Sequence, residues 1–230
     1  HDAHNSAHGG AWGFGRVVNL EQPPLRAQIA DVAACASVAA TAALAANGAE
    51  TELMWSGEMR HVARLRACSA SSACHSTLSR GTYAITGGLG GLGLRAATLL
   101  VDGGASRVLI ASRSGRVAHG GQGLEAQLES LAEAGWMIAC DSASMCDTGA
   151  LLRADLPAGV LHAAGAADKG LLNELAVQRV YWLSASKSLG AWYVHCAAVN
   201  GPLEVQILFS SVGSGLGNVG QANYAISNAC

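Results

Sequence analysis

Charge is scarce in this 230-residue chain. Only 13% of the residues are charged, 14 Lys and Arg stand against 16 Asp and Glu, and no block of basic residues occurs anywhere. A phosphate-backbone partner needs clustered cations, so the balance argues against nucleic acid. Cys-x-x-Cys spacing is also absent. The seven cysteines, at 35, 68, 74, 140, 146, 196 and 230, are scattered, which fits reduced thiols in the cytoplasm or an organelle lumen better than a disulfide framework. The most apolar segment, 29–46, consists mainly of alanine and carries Asp31, the makeup of a packed helix rather than a membrane span. No signal or transit peptide is visible, and a chain that opens at His1 is expected to have its natural N-terminus elsewhere. His1, His4 and His8 would align on a helix, but no acid or cysteine completes a metal site there, so no metal is expected.

Hydrophobic residues make up half of the chain, enough for a sizeable core. The Ser-rich stretch CSASSACHSTLSRG (68–81) divides the chain near residue 80. Before it stand a strand-like LRAQIADV, the alanine-rich helix, and a hairpin of TELMWSG with MRHVARLRA. After it strands and helices alternate: strand GTYAIT, helix GLGLRAATLLVDGG, strand SRVLIAS, helix EAQLESLAEAG, strand WMIACD, a short helix near 145–154, strand AGVLHAAG. A long helix AVQRVYWLSASKSLGAWYVHCAAV, a buried strand EVQILFSS and the start of a helix at NYAISNA follow. This alternation predicts an α/β protein with a parallel, doubly wound, Rossmann-like sheet.

The loop TGGLGGLG (Thr86, Gly87, Gly88, Leu89, Gly90, Gly91, Leu92, Gly93) joins a predicted strand to a predicted helix. In that context Gly87 suits the tight turn, Gly91 the approach of backbone to a pyrophosphate, and Gly93 the packing of helix on strand. The helix N-terminus adds free N–H groups and partial positive charge. At the end of the second strand, where an acid usually holds the ribose of NAD, stand Ser112 and Arg113. A guanidinium pairs with a 2′-phosphate that a carboxylate would repel, so NADPH is favoured over NADH. Asp141 is a candidate for the adenine amino group, with a turn cap as its alternative.

TGGLGGLG has the T-G-x-x-x-G-x-G form of the short-chain dehydrogenase/reductase superfamily. In those enzymes a Ser precedes the active-site Tyr and a Lys follows it by four residues. Here FSSVGSGLGNVGQANYAISN supplies Ser211 and Tyr224, but Asn228 stands at Tyr+4 and the lysine, Lys187, lies upstream in LSASKSLGAW. This exchange, with HAAG (162–165), FSSV and GQANYA, resembles the ketoreductase domain of type I polyketide synthases and animal-type fatty acid synthases. AWGFGRVVNLEQPPLRAQIADV and MRHVARL resemble the structural subdomain that precedes its catalytic part. The resemblance implies part of a degenerate Rossmann-like structural subdomain over 1–80 and an NADPH-binding catalytic subdomain over 81–230. It also implies an acyl carrier protein presenting a phosphopantetheine-bound β-ketoacyl substrate, and other synthase domains, as partners. By position, Tyr224 is the expected general acid, Lys187 the cation that stabilises its anion and bonds the nicotinamide ribose, Ser211 a second donor to the ketone oxygen, and Asn228 the holder of a relay water. Ala163, Ala164 and Gly165 are expected to lie against the cofactor. His162 is expected to be packed and hydrogen-bonded rather than a base, and Trp182 and Trp192 to belong to the core.

The departures matter as well. Where ketoreductases of one stereochemical type carry Leu-Asp-Asp, this chain has Ala167, Asp168 and Lys169; where the other type has a Trp eight residues before the Tyr, it has Leu216. Asp168 and the missing Trp lean toward the first type and leave the configuration open. The chain ends at Cys230, two residues past Asn228, whereas the resembled family continues through a further strand, a substrate lid and a closing strand. The expectation is a C-terminally truncated piece of a longer polypeptide, with weakened cofactor binding and an unpaired sheet edge. A non-catalytic structural domain of a megasynthase and a stand-alone reductase of small ketones remain the alternatives.

Overall fold

The computed structural model describes residues 8–32, 50–56, 59–68, 80–117, 122–199, 201 and 203–230. The body of the alanine-rich helix, His1, His4, Cys35, Cys74 and most of the Ser-rich stretch lie outside the described residues.

Among them the chain forms two sheets, of three and five strands. In the smaller, β1 (Ile29–Asp31) pairs in parallel with β2 (Glu52–Ser56), and β2 pairs antiparallel with β3 (Met59–His61), Met54 opposite His61. The expected hairpin is therefore present. A helix, α1 (Gly9–Glu21), precedes them.

The larger sheet is all parallel, in the order β6-β5-β4-β7-β8. Its strands are β4 (Thr82–Thr86), β5 (Arg107–Ser112), β6 (Gly135–Ala139), β7 (Gly159–His162) and β8 (Val205–Leu208). The helices are α2 (Gly91–Asp102), α3 (Leu124–Ser130), α4 (Met145–Ala154), α5 (Val177–Ser184), α6 (Gly190–Ala198), α7 (Val212–Leu216) and α8 (Ala222–Ala229), with a π-helical turn, Ala185–Leu189, between α5 and α6. The middle strands are apolar on both faces because helices cover both: Tyr83, Ile85, Val108 and Ile110 pack with Leu94 and Ala97 of α2 on one side, while Ala84, Leu109 and Val160 pack with Leu151 and Val194 on the other. Each such large side chain withdrawn from water contributes about 1.5–3 kcal/mol.

Three expectations need correction. The strand EVQILFSS is not buried: β8 stands at the sheet edge, with Ile207 and Leu208 43% and 49% exposed. Trp182 and Trp192 are surface residues, 50% and 56% exposed. The inward face of their helix is built from Leu183, Ser186, Gly190 and Val194, and a Cβ at Gly190 would stand 2.9 Å from His162 Cε1, so only small groups fit against the sheet there. The helix expected over EAQLESLAEAG ends early, giving way at Ala132–Ala134 to a 3₁₀ turn.

Strand succession runs one way from β4 through β5 to β6 and the other way through β7 to β8. The carboxyl ends of β4 and β7 therefore flank the point where the winding reverses, the place where open α/β sheets leave a crevice.

Candidate active site

The glycine turn leaves β4 at this crevice. Gly87 has φ +68°, and a Cβ there would meet the Ala164 backbone at 2.5 Å, so the turn is pressed against the HAAG segment leaving β7. Gly93 sits with its absent Cβ 2.6 Å from Gly87 O, which is what lets α2 start directly behind the loop. Gly90 caps α2 without a side-chain hydrogen bond, and the first-turn N–H groups of this 12-residue helix have no intrahelical acceptors. The result is a cleft of about 220 Å³ lined by Gly87, Leu89, Gly90, Ser112, Arg113, Ser114, Arg116, Cys140, Ser142, Ala163, Ala164, Gly165 and Ser186.

Eight of the residues expected to touch cofactor thus line one cavity: Gly87, Leu89, Gly90, Ser112, Arg113, Ala163, Ala164 and Gly165. Thr86 and Gly88 are buried behind it, Gly88 with its Cβ position 2.7 Å from Ile110. Gly91 and Leu92 are exposed on the first turn of α2 and do not line the cleft. Asp141 does not line it either: its Oδ1 accepts from Ala143 N at 3.0 Å, so the carboxylate caps its own turn, the alternative reading of that residue.

Arg116 was not legible as a site residue, although Ser114-Gly115 is a turn signal. Gly115 has φ +62° and Ser114 Oγ bonds both Arg116 N and O, a turn that leaves Arg116 lining the same cleft as Arg113. Among the described residues no carboxylate lines the cleft. Burial, with Asp147 and Asp141 nearby, pushes the Cys140 thiol up to about 11, so it stays a protonated wall of the cavity rather than a nucleophile.

Lys187 sits in the π-turn, with its stem over Gly165, where a Cβ would be 3.3 Å from Lys187 Cδ and 3.7 Å from Nζ. Burial lowers its pKa from the ordinary lysine value. Ser211 is the N-cap of α7: its Oγ accepts from Gly213 N at 3.1 Å, which leaves the hydroxyl proton to donate elsewhere. Tyr224 and Asn228 lie one turn apart on α8, and Asn228 Nδ2 donates to Tyr224 O at 2.9 Å. Asn228 Oδ1 is buried without a donor among the described residues, an arrangement that a bound water satisfies. Helix α8 packs against both α7 and the π-turn, and Ser210 Oγ donates to Asn228 O at 2.7 Å, so the elements bearing the four residues form one packed unit.

Supporting contacts were not legible in the sequence. Asp168 takes a two-pronged bond from Arg179 (2.8 and 2.6 Å) and a third from Asn223 Nδ2 (2.6 Å), whose Oδ1 accepts from Tyr224 N. Glu21, at the end of α1, accepts from Leu172 N at 2.7 Å and Gly220 N at 2.8 Å, tying the segment between β7 and α5 to the loop that leads into α8. No group of three His, Cys, Asp or Glu suited to a metal occurs among the described residues.

A reversing parallel sheet with a glycine turn and a cationic cleft at the reversal defines a Rossmann-like dinucleotide-binding protein. Residues 81–230 match the KR domain family, and the chain belongs to that family, whose members bind NAD(P)H as oxidoreductases. It is 35% identical over 224 residues to the polyketide synthase GfsA of Streptomyces halstedii, covering 95% of this chain and 3% of that protein. It is 38% identical over 152 residues to the erythronolide synthase EryA2 of Saccharopolyspora erythraea, covering 64% of this chain and 4% of that one. Among solved structures, the first ketoreductase of the tylosin synthase superposes with a TM-score of 0.80 at 30% identity, over 97% of this chain and 50% of that one. The PlmKR1 ketoreductase of phoslactomycin biosynthesis from Streptomyces sp. HK803 superposes with 0.86 at 29% identity, over 100% and 55%. The chain thus spans about half the length of these ketoreductases and a small share of the synthases.

Proposed function

We propose that this chain reduces a β-ketoacyl thioester, carried on the phosphopantetheine arm of an acyl carrier protein within a polyketide synthase, to the β-hydroxyacyl thioester with NADPH. In the same reading residues 1–80 are a structural part and 81–230 the cofactor-binding part. The observation that carries the reading is that the glycine turn and two arginines line one cleft at the reversal point, that Lys187 lies over Gly165 in the wall of that cleft, and that the helix bearing Tyr224 and Asn228 packs on the π-turn of Lys187 and on the helix capped by Ser211.

The residues present fit a phosphorylated dinucleotide. The glycine turn admits close approach of a pyrophosphate, and Arg113 and Arg116 face a cleft without carboxylates among the described residues, which suits a 2′-phosphate. When bound, NADPH supplies the hydride that goes to the β-carbon. The ketone oxygen then needs a proton, and Tyr224 is placed in the reading as its donor. An ordinary phenol titrates near 10 and is a reluctant donor at neutral pH unless its anion is stabilised. Lys187 supports that role: burial destabilises its lone ammonium, which a tyrosinate nearby would relieve. Ser211, its acceptor side used by the Gly213 N–H, has its proton free for the same ketone oxygen. A water at Asn228 Oδ1 would return a proton toward Tyr224 from solvent.

The test is NADPH oxidation with a β-ketoacyl thioester, beside Tyr224→Phe. The expected result is a fall in kcat of about 10²–10⁴ in the variant with NADPH affinity retained; a variant as active as the parent would remove Tyr224 from the mechanism.

A further inference from the structure

His162 is 1% exposed, does not face the cleft, and has no part in the hydride or proton steps. Both of its ring nitrogens are nevertheless engaged. Nδ1 lies 2.7 Å from Thr86 Oγ1 and Nε2 lies 3.0 Å from the Lys187 carbonyl oxygen. A carbonyl only accepts, so Nε2 must carry the hydrogen. Burial, the largest influence on the ring, depresses its pKa to about 4, so at neutral pH it holds one proton and Nδ1 is a bare acceptor. Thr86 Oγ1 is then the donor. The partners on both sides fix a single tautomer, Thr86 O–H to Nδ1 and Nε2–H to Lys187 C=O.

The carbonyl it reaches belongs to the π-turn. Gly190 N–H reaches back to Ala185 O, the long bond of a π-turn, and also to Lys187 O. Lys187 O has a second lone pair, which His162 takes. The neighbouring carbonyl, Ser186 O, receives a weaker bond from Ser142 Oγ at 3.4 Å. A single turn of irregular helix is thus pinned to the sheet by side chains from β7 and from the segment after β6, at the residue whose side chain leans on Gly165. Thr86 opens the glycine turn, so one hydrogen-bonded line joins the cofactor loop to the backbone of the lysine.

We propose that His162 is a positioning residue for Lys187: held by Thr86 as an Nε2–H donor, it anchors the π-turn and so sets where the lysine ammonium stands. The inference rests on the ketoreductase reading for its effect on turnover, but not for its effect on Lys187.

The test separates the two ends of the ring. His162→Asn keeps an acceptor near the Nδ1 position and loses the donor to Lys187 O, whereas His162→Gln keeps an amide donor at the Nε2 reach and loses the acceptor for Thr86. The chain contains two lysines, Lys169 and Lys187, so carbon-labelled lysine gives two NMR titration curves, and Lys169→Arg assigns them. In His162→Asn the Lys187 pKa should rise toward that of an exposed lysine, and kcat should fall about tenfold to a hundredfold with KM for the thioester little changed. His162→Gln should recover most of both effects. Equal losses in the two variants with the Lys187 curve unmoved would overturn the proposal and leave His162 as packing. Should His162→Asn fail to fold, Thr86→Val keeps the volume, removes the donor that fixes the tautomer, and should move the Lys187 curve the same way; an unmoved curve overturns the proposal. A parent chain that does not oxidise NADPH would sink the ketoreductase reading, and the lysine titration alone would then decide the role of His162.

Discussion

Burying a neutral histidine gives stability a pH dependence of known sign. His162 titrates near 6.5 when unfolded and at about 4 in the fold, so between those values the unfolded chain binds the extra proton. Its contribution is fully present above about 6.5 and is lost as pH falls toward 4, a total of roughly 3 kcal/mol. Urea unfolding across that window should show the slope in the parent and a shallower one in His162→Gln; parallel slopes would mean the ring is not kept neutral by the fold. Arginines at the cleft make a second prediction. Arg113→Ala and Arg116→Ala should each weaken NADPH binding about tenfold or more, the worth of one charge-assisted bond, while NADH binding changes little. Equal losses for both cofactors, measured by calorimetry, would move these side chains away from the 2′-phosphate. Arg113 was legible because it ends a predicted strand where an acid is usual. Arg116 was not, because its place depends on the left-handed Gly115, which only the folded turn reveals.

Helix α1 is an element that propensity disfavours. Four glycines in its 13 residues each cost about 1 kcal/mol relative to alanine in an isolated helix. Packing overrides this: a Cβ at Gly9 would lie 1.8 Å from Ala229 O and one at Gly13 2.4 Å from Ala225 O, so these glycines let α1 close onto α8. Gly13→Ala is therefore expected to lower stability by about 1–3 kcal/mol through overpacking, against the gain that propensity alone predicts. Thermal unfolding decides the sign, and a more stable variant would contradict the packing account. The π-turn was equally hidden, since its sequence, ASKSL, continues an unbroken helical pattern; the groups that bond its carbonyls are distant in sequence, His162 on β7 and Ser142 in the segment after β6.

For the molecule as a whole, alternation of strands and helices was enough to foresee a parallel, doubly wound sheet, because strands covered on both faces read as continuous apolar runs. The same rule misjudged β8, whose apolar sequence stands half exposed at an edge. Long-range polar contacts left no local signal: Glu21 bonds residues 151 and 199 positions away, and Arg16 pairs with Glu52 while donating to Ser214 O. Through them the front of the chain grips the loops around Ser211 and Tyr224. The proposed function has hydride pass from NADPH to the β-carbon of a thioester in this fold. The most direct measurement is a single-turnover reaction with NADPH deuterated at the transferring position and a β-ketoacyl thioester, followed by mass spectrometry of the product. One deuterium is expected on the β-carbon of the hydroxyacyl product; a bound, unreacted cofactor with no label in the acyl chain would contradict hydride transfer to the thioester.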